Sequence, residues 1–218
     1  MNALFNRLKS FNIEVRGIIQ VGASIGQELR VFTESGVKKA LLIEPLDDCF
    51  QKLVARAKES GPGFYPIQAL CADKEGEQYD FNVASNGGQS SSLLKPLEHH
   101  KLYPGVVFSP QQITMVSRTL DSLVAEFMDL HPDEQAEDFN LLYLDTQGAE
   151  KKVLMGADAV LLNCNAIWTE ISNVELYKGG VRLPELISYL DEKGFYLVFA
   201  AINPKFWGDA LFIRKPAG

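Results

Sequence analysis

The chain has 218 residues, 46% of them hydrophobic and 22% charged, with a formal net charge of 21 − 28 = −7. A chain of this length can bury a core without disulfides or metal, and its composition excludes disordered and collagen-like classes. The acidic balance makes nucleic acid an unexpected partner. The three cysteines, Cys49, Cys71 and Cys164, fit neither a disulfide framework nor a zinc site and read as reduced thiols of a cytoplasmic protein. No apolar run reaches the ~20 residues that span a bilayer. Met1 to Ser10 lacks the continuous apolar stretch of a signal peptide.

Short apolar runs alternate with segments of helical period, which predicts a doubly wound α/β sheet. The first strand is predicted at 18–22 and the first helix at 25–35, closed by Gly36. A strand over 40–44 stops at Pro45, and a helix over 46–60 ends at Gly61-Pro62-Gly63. Strands are then expected at 64–71 and 78–84. Segment 85–112 is polar and irregular, too long for a simple connection, and loops of that kind tend to be functional. An edge strand at 113–118 follows, then a helix over 120–130 capped by Thr119. The acidic stretch 131–138 reads as a solvated linker. Regular alternation resumes with a strand at 140–145, a helix at 149–162 and a strand at 166–170. A helix over 184–193 has Pro184 in its first turn. The last two strands, 195–202 and 209–213, are joined by a short loop and form a hairpin, so one of them runs antiparallel to the rest. The whole is expected to be one domain, with 1–16 as an N-terminal extension and 85–112 as a lid or acceptor segment. A mostly parallel seven-stranded sheet ending in an antiparallel hairpin is the Rossmann-like layout of class I methyltransferases, although any doubly wound fold begins in this way.

Such sheets bind ligands at the carboxyl ends of their strands. The first strand runs into Gly22-Ala23-Ser24-Ile25-Gly26, a turn that lets backbone approach a ligand; the three-glycine dinucleotide fingerprint is absent. The second ends in Glu44-Pro45, a carboxylate placed to accept hydrogen bonds from ribose hydroxyls. Gly26 and Glu44 are 44 − 26 = 18 residues apart, close to the ~20 of a nucleoside-binding unit. Ala72 and Asp73 end the third strand, where Asp73 is a candidate for an adenine amino group or an ordinary turn carboxylate. Asp145-Thr146-Gln147-Gly148-Ala149-Glu150 sets a carboxylate at a strand tip and a second at a helix start; the plain alternative is a helix cap.

The chain resembles the FkbM-type methyltransferases. The resemblance rests on residues 19–26, on 42–45, on 86–94 with its serines, and on LDTQGAEKKVLMGA at 144–157, with support from 119–121 and 168–180. The family loop often begins with an acid and has Asn inside it, where this chain has Gln20 and Ser24. The resemblance implies S-adenosylmethionine as cofactor, bound by Gly22, Ala23, Ser24, Gly26, Glu44, Pro45, Ala72, Asp73, Asp145 and Gln147. It implies methyl transfer to a hydroxyl of a sugar, glycolipid or small molecule. Asp145 and Glu170 are the first candidates for a catalytic base. His99 and His100 come next, although solvent-exposed loop histidines are the simpler reading. Asn86, Ser90, Ser91 and Ser92 are candidates for the acceptor wall. No metal-ligand spacing of His or Cys occurs, which leaves an Asp/Glu magnesium site open but unsupported. The competing functions are a nicotinamide-dependent oxidoreductase using the same pocket and a non-catalytic cofactor-binding module. A homo-oligomer is compatible with the sequence.

Overall fold

The computed structural model describes residues 2–216. Its centre is a seven-stranded sheet of order β3-β2-β1-β7-β8-β10-β9. The strands are β1 (Ile18–Val21), β2 (Ala40–Ile43), β3 (Phe64–Ile67), β7 (Leu141–Leu144), β8 (Ala166–Ser172), β9 (Phe195–Ile202) and β10 (Trp207–Arg214). β1, β2, β3, β7 and β8 are parallel. β10 is antiparallel to both β8 and β9, so β9 runs with the rest and only β10 is reversed.

Every residue of β1, β2 and β7 is buried, because helices cover both faces of the sheet. The two-residue period divides each strand between two cores. Ile19, Val21, Leu41, Ile43, Leu142 and Leu144 face one core. It is shared with α5 (Leu120–Leu130), α6 (Glu150–Met155), α7 (Asp158–Asn163) and α8 (Leu183–Glu192). Ile18, Ala40, Leu42, Leu141 and Tyr143 face the other, with α1 (Asn2–Ser10), α2 (Leu29–Glu34) and α3 (Asp47–Ser60). Leu4, Phe5 and Leu8 of α1 are buried in this second core, so the N-terminal segment packs on the sheet.

Several predicted elements are subdivided. The expected strand 64–71 breaks after Ile67, and its end, β4 (Leu70–Cys71), leaves the main sheet. β4 joins β5 (Gln78–Phe81) and β6 (Ile113–Arg118) in a small sheet of order β4-β6-β5. The expected helix 149–162 is two helices. At Gly156 the chain packs so closely that an added Cβ would overlap the Ala72 carbonyl oxygen. Asp121 then caps α7 from a distance, accepting from Ala159 N and Val160 N at 2.9 Å each. The first predicted helix forms only from Leu29, because 25–28 is turn. Segment 131–138 is not a free linker: Lys39 Nζ donates to Glu134 and Asp138 at 2.6 Å each, and His131 stacks on Phe127.

Candidate active site

The order of strands reverses beside β1, where β2 and β7 lie on opposite sides, and a crevice opens at the carboxyl ends. Parallel pairing fixes what meets there. Val21 is in register with Ile43 and Leu144, and Leu144 with Thr169, so Gly22, Glu44, Asp145 and Glu170 follow at one level. They line a cleft of about 400 Å³.

The first wall is the glycine turn. Gly22 has φ +83°, and a Cβ there would overlap the Asp145 carbonyl oxygen, so only glycine lets β1 and β7 exit so close together. Ser24 also has positive φ, +47°. Its N–H donates to Glu44 Oε2 at 2.9 Å, while Leu46 N–H donates to Oε1 at 2.9 Å. Burial raises the Glu44 pKa more than the two N–H groups lower it. Leu46, Leu70 and Phe81 add an apolar wall beside it. A carboxylate edge next to a flat apolar wall fits the ribose and base of an adenosyl group.

The floor carries two more carboxylates. Gln147 Nε2 donates to Asp145 Oδ1 at 2.7 Å and to Glu170 Oε2 at 3.1 Å, while Tyr177 OH lies 3.1 Å from Gln147 Oε1. Both amide hydrogens are thus spent on the acids. A Glu at 147 would instead bring a third charge. Burial pushes Asp145 up to about 7, with Glu150, Glu28 and Asp209 adding repulsion. Burial, then Asp145, raises Glu170 well above the ordinary carboxylate range. Glu150, 3% exposed, turns back onto its own loop and accepts from Thr146 N, Thr146 Oγ1 and Gly148 N at 3.0–3.2 Å. It shapes the turn that gives Gln147 φ +55°.

The far wall comes from segment 85–112. Asn86, Ser90, Ser91 and His99 line the cleft. The serines are buried and knitted into the wall: Asn86 Nδ2 donates to Ser90 Oγ at 2.9 Å and Ala84 N to Ser91 Oγ at 2.9 Å. Ser92 does not line the cleft; its hydroxyl donates to Gln147 O at 2.9 Å. His99 belongs to α4 (His99–Leu102) and is buried, contrary to the exposed loop histidine expected. It sits among Tyr103, Phe108 and Tyr177 with Nε2 3.2 Å from Ser90 Oγ. Burial lowers its pKa, so it is neutral at pH 7. His100 is exposed.

Of the other sequence-predicted positions, Pro45 lines the cleft, whereas Ala23 and Gly26 are buried behind the turn. Ala72 and Asp73 do not reach it. Ala72 is fully buried, and Asp73 Oδ1 accepts from Lys152 Nζ at 2.9 Å and Tyr79 OH at 3.0 Å. Asp73→Asn is therefore expected to leave S-adenosylhomocysteine affinity within about twofold. It should lower the melting temperature by roughly 2–4 °C, the effect of losing about 1 kcal/mol of a half-exposed pair in a chain of this size. Calorimetry and a thermal melt check both.

Leu46, Leu70, Phe81, Tyr103, Tyr177 and Trp207 escape a reading of strand ends. The aliphatic ones look like core. Tyr103 and Trp207 meet at the cleft mouth, where Trp207 Nε1 donates to Tyr103 OH, from positions 104 residues apart that share no local pattern. Glu28 also lines the cleft, two residues beyond Gly26. An acid one turn past the glycines is the signal that could have found it. Among the described residues no cluster of three or more His, Cys, Asp or Glu is placed to hold a metal ion, and no helix is long and apolar enough to cross a membrane.

Comparison with known proteins adds to this geometry. The methyltransferase FkbM domain model matches residues 20–197. The 2-O-methyltransferase NoeI of Sinorhizobium fredii (strain NBRC 101917 / NGR234) is 28% identical over 185 residues, covering 79% of this chain and 70% of NoeI. Magnesium protoporphyrin IX methyltransferase (ChlM) of Synechocystis PCC 6803, solved with bound S-adenosylmethionine, superposes with a TM-score of 0.54 at 7% identity, over 98% of this chain and 77% of that one. Sp1610 of Streptococcus pneumoniae, in complex with S-adenosyl-L-methionine, gives 0.53 at 12% identity, over 99% and 74%. Both structural likenesses establish the Rossmann-like class I fold.

Proposed function

The chain belongs to the FkbM methyltransferase family and is an S-adenosylmethionine-dependent methyltransferase, and from that premise we propose that it methylates a hydroxyl group on a sugar-containing acceptor. This membership also sets aside the oxidoreductase and non-catalytic alternatives.

The observation that carries the reading is the Asp145–Gln147–Glu170 bridge on the cleft floor. S-adenosylmethionine supplies an electrophilic methyl group on a sulfonium. The chain has to hold the acceptor hydroxyl in line, keep water out and take the hydroxyl proton. A free carboxylate is a weak base for an alcohol. Burial raises Asp145 to about 7, and burial with repulsion from Asp145 raises Glu170 well above the ordinary carboxylate range; a general base is most effective when its pKa lies near the working pH. His99 is less suited, since its Nδ1 is buried without a partner and its Nε2 faces Ser90. We assign it to holding the wall.

Glu44 and Gly22 are read as the cradle of the adenosyl group, and segment 85–112 as the acceptor wall. That segment is tied to the body by the bridges Asn82↔Ser92, Ala84↔Phe108 and Pro96↔Tyr177. A sugar is favoured by Trp207 in the cleft lining, because sugar rings present apolar C–H faces that pack on aromatic ones; Tyr103, whose ring already carries Lys205 Nζ at 4.1 Å and His99 at 5.0 Å, braces it. NoeI, a 2-O-methyltransferase by name, supports oxygen as the methyl acceptor.

Incubation with methyl-labelled donor and a panel of oligosaccharides, glycolipids, phenols and amines tests the proposal. Label on a sugar hydroxyl is expected; label confined to phenols or amines would overturn the acceptor class. Within the sugar series, Tyr103→Ala should raise KM by up to about tenfold and leave kcat within a few-fold, as loss of uniform binding does. A kcat loss with unchanged KM would remove Tyr103 from acceptor binding.

A further inference from the structure

The donor's methionyl end carries an ammonium group, and this chain has Gln20, a neutral amide, where the family loop often opens with an acid. Gln20 sits in β1, 1% exposed. Its Nε2 donates to Glu28 Oε2 at 3.1 Å, and its Oε1 is buried with no hydrogen-bond partner. A buried acceptor without a donor is costly, by roughly 1–3 kcal/mol, and calls for an explanation.

Glu28 lies just before α2 and lines the cleft with Gly22, Ser24 and Asp145. The other cleft carboxylates are already committed. Glu44 accepts two backbone N–H groups, and Asp145 and Glu170 share the Gln147 amide. Among the described residues the Glu28 carboxylate accepts a hydrogen bond from the Gln20 side chain alone.

We propose that Glu28, oriented by Gln20, receives the ammonium group of S-adenosylmethionine, so that the acid missing at position 20 is supplied from the turn before α2. An ammonium has three N–H donors. Gln20 itself does not line the cleft, so its part is to hold the carboxylate from behind. The arrangement divides one function between two residues: the amide fixes the carboxylate, and the carboxylate carries the charge. It concerns the donor alone and is independent of which acceptor is used.

Calorimetry with three ligands tests this: S-adenosylhomocysteine, its deamino analogue, which keeps the carboxylate, and 5′-methylthioadenosine, which lacks the amino-acid end. Glu28→Gln is expected to weaken S-adenosylhomocysteine about tenfold or more, as loss of a charge-assisted contact does. The other two ligands should bind the variant within about twofold of the parent. The double variant Gln20→Asp/Glu28→Gln returns the acid to the strand and should recover most of the lost affinity. Unchanged S-adenosylhomocysteine binding in Glu28→Gln would overturn the proposal. So would an equal loss for all three ligands, since Glu28 would then shape the pocket rather than read the ammonium. If the double variant binds S-adenosylhomocysteine no better than Glu28→Gln, the claim that Glu28 stands in for an acid at position 20 is overturned.

Discussion

Replacing Glu170 with Gln is expected to lower kcat by about 10²–10⁴, the range removed with a general base, while raising thermal stability on the alkaline side of its titration. The two effects have one origin. Glu170 and Asp145 are carboxyls whose folded-state pKa lies above the unfolded one, chiefly through burial. Between those values the native state holds more protons than the unfolded chain, so stability falls as pH rises. The stabilisation is complete below pH ~4, where both states are protonated, and is lost as pH climbs through the raised values, about 7 for Asp145. Activity moves the opposite way, because a base works only when deprotonated.

Gln at 170 is neutral at every pH and its carbonyl can still accept from Gln147. The variant should therefore melt higher than the parent at pH 8, by roughly 2–4 °C for each kcal/mol recovered, and match it near pH 4.5. Asp145→Asn should act in the same direction on both readouts, and the double variant should lose little more activity than either single one, because groups that act as a unit are not additive. Paired melts at pH 4.5 and pH 8, with initial rates across pH 5.5–8.5, decide it. A pH-independent stability difference would remove the buried-charge account, and parental kcat in both single variants would remove the base assignment.

The fold was legible where hydrophobic period and punctuation agree. β1, β2 and β7 are continuous apolar runs because both faces of the sheet are covered, and Gly36, Pro45 and Gly61 end their neighbours. Where tertiary contacts override local pattern, the sequence was less informative. Leu70–Cys71 continues an apolar run, yet it pairs with Ser117 and Arg118 outside the main sheet. Gly156 is an ordinary helix interruption until the approach of the Ala72 carbonyl oxygen shows why no side chain fits there. The site divides in the same way. Strand tips are local features, so Gly22, Glu44 and Asp145 could be found by reading each strand to its end; Glu170 lies inside β8, which runs on to Ser172 rather than ending at 170, and register brings it level with the others. Side-chain direction is not local. Asp73 has the right position for a ligand contact, but Lys152, 79 residues away, holds it elsewhere. The serine run reads as a polar flap, but the buried Ser91 and Ser92 hydroxyls satisfy backbone groups and the Ser90 hydroxyl accepts from the Asn86 amide.

Glu44→Gln is the most economical probe of the donor side, because it keeps shape and removes only the second acceptor. In the parent each carboxylate oxygen receives one buried N–H, from Ser24 and from Leu46. An amide can accept at one oxygen only. Its NH₂ must then face one of those N–H groups, leaving a donor without a partner at a cost of roughly 1–3 kcal/mol. Gly22, Ala23 and Gly26 N–H groups also hold the turn at 22–26, but among the described residues the Ser24 N–H has no other acceptor. We expect a melting point lower by several degrees at pH 7. S-adenosylhomocysteine and 5′-methylthioadenosine should both weaken, by about tenfold or more, because both contain the ribose. That shared loss distinguishes position 44 from position 28, where only ligands bearing the ammonium should respond. Parental affinity for both ligands in Glu44→Gln would mean that the carboxylate braces the glycine turn without touching the donor.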